Sequence, residues 1–340
     1  ETKALTQRIA AAMACSGYAN QSPVALYAPN SASVMIALYG NRLAEHAFDI
    51  CNQIEQSCGY DPKGAQRVAF AQALVAAARR AKNAAALPQA ARHAEAALAL
   101  MQSHWWEEHE RLAYEASLLV CECLMAQPDM ARAECEIDSL LARPLPVLDR
   151  AAAYRLKAAL QTVQSDYESA ITTALAGLAM LDVHLPRDAG PDDLRQAYDA
   201  VMRARGPRGI AELALTPPTD DRRIQAAMGL LSTLFASLFV SGGLSFLHLA
   251  KMVELTLDHG ATPESPYGLA WFGVYAAGLY GEYEDGLAYG RAALDMIDRR
   301  GYEAERIGAL VAVDQVSPWN QPLWFALEHA RRAVRQGRAS

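Results

Sequence analysis

The stretch that most constrains this fold is residues 267–298, where Gly281-Glu282-Tyr283 separates two apolar runs. Apolar or small residues recur every three or four positions in both runs, which places each set on one face of a helix. The first set is Ala270, Phe272, Tyr275, Ala276 and Leu279, and the second is Leu287, Gly290, Ala293, Leu294 and Ile297. The stretch therefore predicts two helices joined by a tight turn. Small residues on the second helix, such as Gly286, should let the first helix approach closely.

The same arrangement of turn and small residue recurs along the chain at intervals of about 40 residues, which is typical of the longer helical repeats. The recurring position is occupied by Ala91, Ala133, Ala170, Ala211, Leu249 and Gly286. The clearest copy is residues 154–181, which has a turn at Gln164-Ser165-Asp166-Tyr167. We predict an all-α fold, an α-solenoid of antiparallel helix hairpins in the form of a tetratricopeptide-like superhelix. An irregular helical bundle is the alternative.

Two regions follow from this reading of the chain. Residues 1–60 should hold entry helices, one of them at 1–16, and an imperfect first hairpin at 34–56. Residues 61–340 should form the helical-repeat array. Because the chain starts at Glu1 without methionine and ends just after a helix, we expect a piece of a longer protein.

Composition limits the partners and the compartment. The formal net charge of −7 gives no global attraction for nucleic acid. The longest apolar run, 226–240, is shorter than the roughly 18–20 residues that a membrane span needs, so we expect no membrane insertion and a buried helix instead. The six cysteines show no framework spacing. Reduced, buried thiols in a cytoplasmic protein are the expectation.

No motif for catalysis, cofactor binding or metal binding is present in the sequence. Phosphate loops, dinucleotide fingerprints and HExxH zinc motifs are all missing, so we predict no catalytic residues and no cofactor. The densest polar cluster, 104–110, places His104 and Glu108 on one helix face. Its two histidines are five positions apart, which is poor for joint ligation, so we assign no metal site. We expect a helix start there, with the tryptophans packed inside.

Aromatic residues crowd the last third of the chain. Most of them should be core residues, as aromatic residues at helical spacing usually are. A curved helical surface can also present a few of them to a peptide or a small ligand. The candidates for such a ligand or partner surface are Trp271, Tyr275, Tyr280, Trp319 and Trp324.

Four short motifs carry a family resemblance. They are His184-Leu185-Pro186, Leu257-Asp258-His259-Gly260, Gly281-Glu282-Tyr283-Glu284-Asp285-Gly286 and Trp319-Asn320-Gln321-Pro322-Leu323. In this order they resemble the helical-repeat region behind the ATPase module of large bacterial signalling proteins, which combine kinase-like, ATPase, GAF and histidine-kinase domains. The resemblance covers roughly residues 70–340 and is strongest at 210–325. The catalytic domains of that family lie outside it, so it transfers no catalytic residue.

We therefore expect a non-catalytic scaffold or regulatory module of a signal-transduction ATPase or sensor kinase. Its partners would be protein segments or neighbouring domains of the same polypeptide, with a small-molecule effector as a further candidate. The alternative is a small-molecule-sensing domain with its pocket in the aromatic C-terminal third. A hydrolase or transferase of a new design is the remaining hypothesis, although the sequence contains no recognisable nucleophile–base pair.

Overall fold

A computed structural model describes residues 64–101, 104–126, 129–235 and 243–337. Within these ranges the chain is helical and contains no β-strand, so the all-α prediction is confirmed for them. The helices and hairpin predicted before residue 61 lie outside the described residues, and that boundary stays a prediction. The chain divides into two compact units, with the division between Arg143 and Pro144.

The first unit contains five described helices. They are α1 (Ala65–Asn83), α2 (Leu87–Leu100), the short α3 (Trp105–Glu108), α4 (Glu110–Leu124) and α5 (Met130–Leu141). Helix α1 packs on α2, α4 packs on α5, and α4 also contacts both α1 and α2. Alanine lines the seam between α1 and α2, where Ala81 packs with Ala90 and Ala91. Ala77, Ala78 and Ala94 on the same helices are also fully buried. Alanine combines the best helix propensity with a side chain small enough for close packing.

The second unit holds the remaining described helices. They are α6 (Val147–Val163), α7 (Tyr167–Ala179), α8 (Pro191–Arg205), α9 (Arg222–Thr233), α10 (Gly243–His259), α11 (Ser265–Tyr280), α12 (Tyr283–Arg300), α13 (Arg306–Val316) and α14 (Leu323–Gly337). Short 3-10 turns lie at Ile210–Leu215, Glu303–Glu305 and Ser317–Trp319. The predicted turns at 164–166 and 281–282 are confirmed. Asp166 caps α7 by accepting the Ser169 N–H, and Gly281 ends α11 in the left-handed conformation.

The predicted repeat position at Ala211 is wrong. Ala211 lies on the 3-10 turn Ile210–Leu215, which packs on α12, and not on the second helix of a hairpin. Helix α8 ends at Gly206 in a positive-φ conformation, and Pro207 cannot continue the helix. Without a following helix to pair with, α8 packs on α10 instead. The spacing of small residues alone could not reveal this interruption.

The pair α11/α12 shows the close approach that its glycines predict. A Cβ atom on Gly286 would lie 2.7 Å from the Gly273 carbonyl oxygen and 3.0 Å from the Ala277 Cβ. Gly290 allows the close approach of a different helix, because a Cβ there would lie 2.6 Å from Cγ2 of Val313 on α13. The two glycines therefore seat α12 between α11 and α13.

Backbone hydrogen bonds join two connections that are distant in sequence. The Ala261 N–H donates to the Pro217 carbonyl at 2.7 Å, and the Thr219 N–H donates to the Ala261 carbonyl at 3.0 Å. Nearby, the Arg300 guanidinium donates to the Thr216 carbonyl at 2.9 Å. These bonds fix the loops before α9 and α11 to the end of α12.

Candidate functional site

The half-buried Trp271 lies in a cluster of three aromatic rings. The Phe235 ring centroid is 5.0 Å from that of Trp271 and 5.1 Å from that of Tyr267. Tyr267 and Trp271 are one helical turn apart on α11, which explains why both rings reach Phe235. Trp271 was a predicted candidate, whereas Tyr267 and Phe235 were missed. The sequence signal for Tyr267 was its position four residues before Trp271.

Two hydrogen-bond donors in this cluster have no acceptor among the described residues. They are the Tyr267 hydroxyl and the Trp271 indole N–H, and both are shielded from solvent. Burial raises the pKa of Tyr267 well above its usual range, helped by the nearby Tyr275 and Glu305. The hydroxyl therefore keeps its proton. Because an unpaired buried donor costs about 1–3 kcal/mol, a ligand that brings an acceptor here would recover free energy.

Tyr280, at the other end of α11, belongs to a separate cluster. Its ring centroid is 4.5 Å from that of Tyr198 on α8, and its hydroxyl donates to the Leu194 carbonyl at 3.3 Å. The Tyr198 hydroxyl lies 2.6 Å from both carboxylate oxygens of Glu282. Burial, followed by this hydrogen bond, raises the pKa of Tyr198. The cluster fastens α8 to the turn between α11 and α12, which is a structural role.

Trp319 and Trp324 are the most exposed aromatic residues in the described part of the chain. They are 69% and 64% exposed, respectively. Trp319 stacks on Tyr283 with ring centroids 5.1 Å apart, while the Asn320 side-chain amide donates to the Tyr283 carbonyl at 2.7 Å. These contacts hold Trp319 in place against α12 although most of its surface faces solvent. Trp324 begins the exposed side of α14.

The five predicted surface residues do not form one site. Trp271 and Tyr280 belong to different ring clusters on α11, Trp319 packs on α12, and Trp324 contacts Phe325 of its own helix. Tyr275 lies between the two clusters of α11 and is half-buried. Trp271 is partly buried and carries an unpaired donor, whereas Trp319 and Trp324 face solvent just before and at the start of α14.

The polar cluster at 104–110 lies in the first unit. His104 Nε2 and a carboxylate oxygen of Glu108 are 3.7 Å apart on α3, as their spacing predicts. Trp105 is buried, and Trp106 lies beneath the Arg143 guanidinium at 4.8 Å. A groove of about 700 Å³ runs from these residues to the start of α1. Among residues 64–101, 104–126, 129–235 and 243–337, no group of three or more metal-ligating side chains occurs.

A second groove, of about 280 Å³, lies between α8, α10 and the loop at 184–186. Its walls carry Arg203 and Lys251 as well as Asp193 and Glu254. Lys251 pairs with Glu254 at 2.5 Å, and Asp193 accepts the Gly190 N–H at the start of α8. The charges therefore largely satisfy one another, and the groove shows no clear preference for an anion or a cation.

Cys121 and Cys123 are buried free thiols, as expected, whereas Cys135 is exposed. Burial raises the pKa of Cys121 to about 12, so this thiol is unreactive at neutral pH.

Every helix in the described portion is too short or too polar to cross a lipid bilayer. Comparison with protein-family models, curated proteins and solved structures finds no match to this chain.

Proposed function

We propose that this chain is a non-catalytic helical-repeat scaffold that regulates a bacterial signal-transduction ATPase or sensor kinase. The observation that carries the proposal is the packing order of the helices. In the first unit α1 packs on α2, α4 packs on α5, and α4 contacts both members of the preceding pair. The pairs α11/α12 and α13/α14 repeat this order. Such contacts are what an α-solenoid of antiparallel hairpins requires.

A scaffold of this kind transmits a signal through its shape. Each pair buries its apolar face mainly against its neighbours, so a partner that binds across two pairs favours one relative orientation of them. The close seams around Gly286 and Gly290 make those orientations discrete, since there is no space for gradual adjustment. The buried free thiols Cys121 and Cys123 agree with a cytoplasmic location.

The test uses two measurements on purified protein. Residues 1–340 alone should hydrolyse no ATP and phosphorylate no substrate. In the longer polypeptide with its adjoining ATPase and kinase domains, Trp319→Ala combined with Trp324→Ala should leave basal hydrolysis unchanged and abolish its regulation. Leu279→Ala, which changes another exposed apolar residue, is the control. Turnover by residues 1–340 that a substitution within them removes would contradict the proposal.

A second candidate function is favoured by the unpaired donors of Tyr267 and Trp271. A sensing domain would use them to bind a metabolite that carries a carbonyl or carboxylate acceptor. Tyr267→Phe removes one donor, the hydroxyl, and keeps the rest of the side chain. Without ligand this change should be neutral or slightly stabilising, because the lost hydroxyl had no partner among the described residues. A metabolite that raises the unfolding temperature of the wild type but not of Tyr267→Phe would support sensing. If no compound in a metabolite panel raises that temperature, this candidate fails.

A further inference from the structure

Helix α14 has two apolar sides, and only one of them is covered. Ala326 and Ala330 are partly buried and Ala333 is buried on one side, where a Cβ on Gly337 would lie 3.9 Å from Cδ1 of Ile307 on α13. A second side carries Trp324, Leu327 and Val334, which are 64%, 49% and 55% exposed. Their spacing of three and then seven residues, with Arg331 between them, keeps them in one stripe along the helix.

The apolar stripe continues on the neighbouring helix. Ile307 and Val311 are one turn apart on α13, and each is more than a third exposed. Ile307 lies beside the C-terminal end of α14 and so borders the stripe of Trp324, Leu327 and Val334, and Val311 is one turn further along α13. We call the five residues together the α13–α14 face. In the preceding pair, the equivalent side of α11 and α12 is covered by α13.

The charge along α14 is positive, in contrast to the chain as a whole. Helix α14 contains three arginines, Arg331, Arg332 and Arg335, and one glutamate, Glu328, and α13 adds the partly exposed Asp314, whereas the chain has a formal net charge of −7. All three arginines are exposed, and none makes an ion pair with a described residue. Arg331 lies within the stripe and Arg335 lies beside it, so a partner that matched them would carry acidic side chains next to its apolar ones.

We propose that the α13–α14 face binds an amphipathic helix of a partner protein whose apolar stripe is flanked by aspartate or glutamate. This inference rests on the proposed scaffold function and names the chemistry of one partner. A helix laid along α14 would present apolar side chains every three or four residues, which matches the spacing of Trp324 and Leu327, with Val334 two turns further along. Trp324 is the natural anchor, since tryptophan and arginine dominate the energetics of such interfaces.

The binding experiment uses two synthetic helical peptides of about 20 residues. Both carry leucines at positions i, i+3, i+7 and i+10. One has glutamate beside the leucines, and its twin has lysine there. We expect the full chain to bind the acidic peptide, as followed by peptide fluorescence anisotropy, and to bind the basic twin at least about tenfold more weakly. Added salt should reduce this difference, because the arginines are exposed.

Two variants test whether the α13–α14 face is the binding site. Leu327→Asp should lower the affinity for the acidic peptide at least about tenfold, while Leu279→Asp, an equally exposed leucine on α11, should leave it unchanged. Arg331→Glu combined with Arg335→Glu should reverse the preference between the two peptides. Circular dichroism confirms folding, and Leu327→Asn replaces the aspartate variant if that variant unfolds.

Three outcomes would overturn the inference: equal binding of both peptides, binding of neither, or identical binding by Leu327→Asp and the wild type. A dimer in sedimentation that Leu327→Asp dissociates would also overturn it, by assigning the face to a second copy of the chain. The ATP-hydrolysis measurements do not depend on these peptides, so failure here leaves the scaffold proposal to its own test.

Discussion

The pairs α1/α2 and α11/α12 bring their helices together in different ways. In the first pair, buried alanines such as Ala81 and Ala90 line the seam, and Arg79 and Arg80 on α1 are exposed. In the second pair, Gly273 and Gly286 lie opposite each other, and the large rings of Phe272 and Tyr289 fill the space beside them, with centroids 5.2 Å apart. The first seam is uniform, whereas the second alternates the smallest and the largest side chains.

The difference determines what each seam tolerates. At an alanine seam each side chain already fills its space, so removing a methyl group loses contacts and helix propensity. At the glycine seam an added methyl group meets a backbone carbonyl, which cannot rotate away as a side chain can. We therefore expect the α11/α12 pair to be more sensitive to substitution than the α1/α2 pair, and expect its responses to have the opposite dependence on side-chain size.

The largest effect is expected from Gly286→Leu. The Cβ alone would lie 2.7 Å from the Gly273 carbonyl oxygen, and overpacking typically costs about 1–3 kcal/mol and occasionally more. We expect the free energy of unfolding, measured in urea, to fall by about 3 kcal/mol or more, which is the upper end of that range. Gly278→Leu is the matched control, because it lies on α11 with no atom near its Cβ position. It should be neutral or slightly stabilising. An unchanged midpoint for Gly286→Leu would show that the glycine seam is absent.

The alanine variants sharpen the same contrast. Helix propensity alone would make Gly286→Ala stabilising by about 1 kcal/mol, and mild overpacking would bring it close to neutral. The short distance to a backbone oxygen makes it destabilising instead. Gly278→Ala should stabilise by about 0.5–1 kcal/mol. Opposite signs for the two variants are the expected result, and equal signs would contradict it.

Mild acid should destabilise the second unit through one buried histidine. His248 on α10 is fully buried, and burial lowers its pKa to about 4, although the carbonyls of Leu244 and Ser245 favour the charged form. The unfolded chain binds this proton near pH 6.5, so the second unit is stable above that pH and loses stability as the pH falls from 6.5 to 4. The loss approaches about 3 kcal/mol.

The measurement is the free energy of unfolding between pH 7 and about 4.5, with hydrogen exchange assigning the loss to helices. His248→Gln should remove this pH dependence, whatever it does to stability at pH 7. His259→Gln, at an exposed position on the same helix, should not alter it. A wild-type protein whose stability does not change over this range would show that His248 is accessible to protons in the folded state.

In the α1/α2 pair the corresponding test is Ala90→Gly. The substitution loses about 1 kcal/mol of helix propensity and about 0.8 kcal/mol of methyl burial, so we expect a cost of about 2 kcal/mol. Ala99→Gly on the exposed side of α2 should lose only the propensity contribution. Hydrogen exchange should increase in α1 and α2 and stay unchanged in α11 and α12. A cost equal to that of Gly286→Leu would remove the contrast between the seams.

The smallest effect concerns the ion pairs around α1. Glu115 on α4 accepts from Arg79 at 2.7 Å and from Arg111 at 2.9 Å, and both arginines are well exposed. Glu115→Gln should cost at most about 1 kcal/mol, and high salt should abolish the difference from wild type. Glu107→Gln, an exposed change on α3, is the control. A larger, salt-independent loss would mean that these charges contribute to the stability of the first unit as much as its alanine packing does.

Local patterns predicted the local structure well. Glycines 281 and 301 end α11 and α12 with positive φ, and Gly286 meets Ala277, as the spacing of small residues implied. Sequence patterns did not predict the contacts between residues that are far apart in the chain. The pairing of α8 with α10 follows from the missing partner after Gly206, and the contact between Tyr198 and Glu282 spans 84 positions. No pattern of period three or four indicates which distant residues meet.

The proposed α13–α14 face shares only Trp324 with the residues named from the sequence. Trp319 was also named and is exposed, but it lies outside this face. Leu327 and Val334 follow Trp324 at helical spacing, so two apolar stripes could have been read on α14. A count of apolar residues cannot tell which stripe the neighbouring helix covers. That depends on the packing of α13, which the sequence of α14 does not contain.

The hydrogen bonds between the loops at 217–219 and Ala261 have a mechanical consequence. Paired helices joined by short turns come apart one after another when a chain is pulled from one end. Here Arg300 ties the end of α12 to Thr216, and Ala261 is tied to Pro217 and Thr219. A pull on the C-terminus should therefore peel away α14 and α13 at low force. The force needed should then rise steeply once, because the helices between 216 and 300 bear the force together and unfold in a single step.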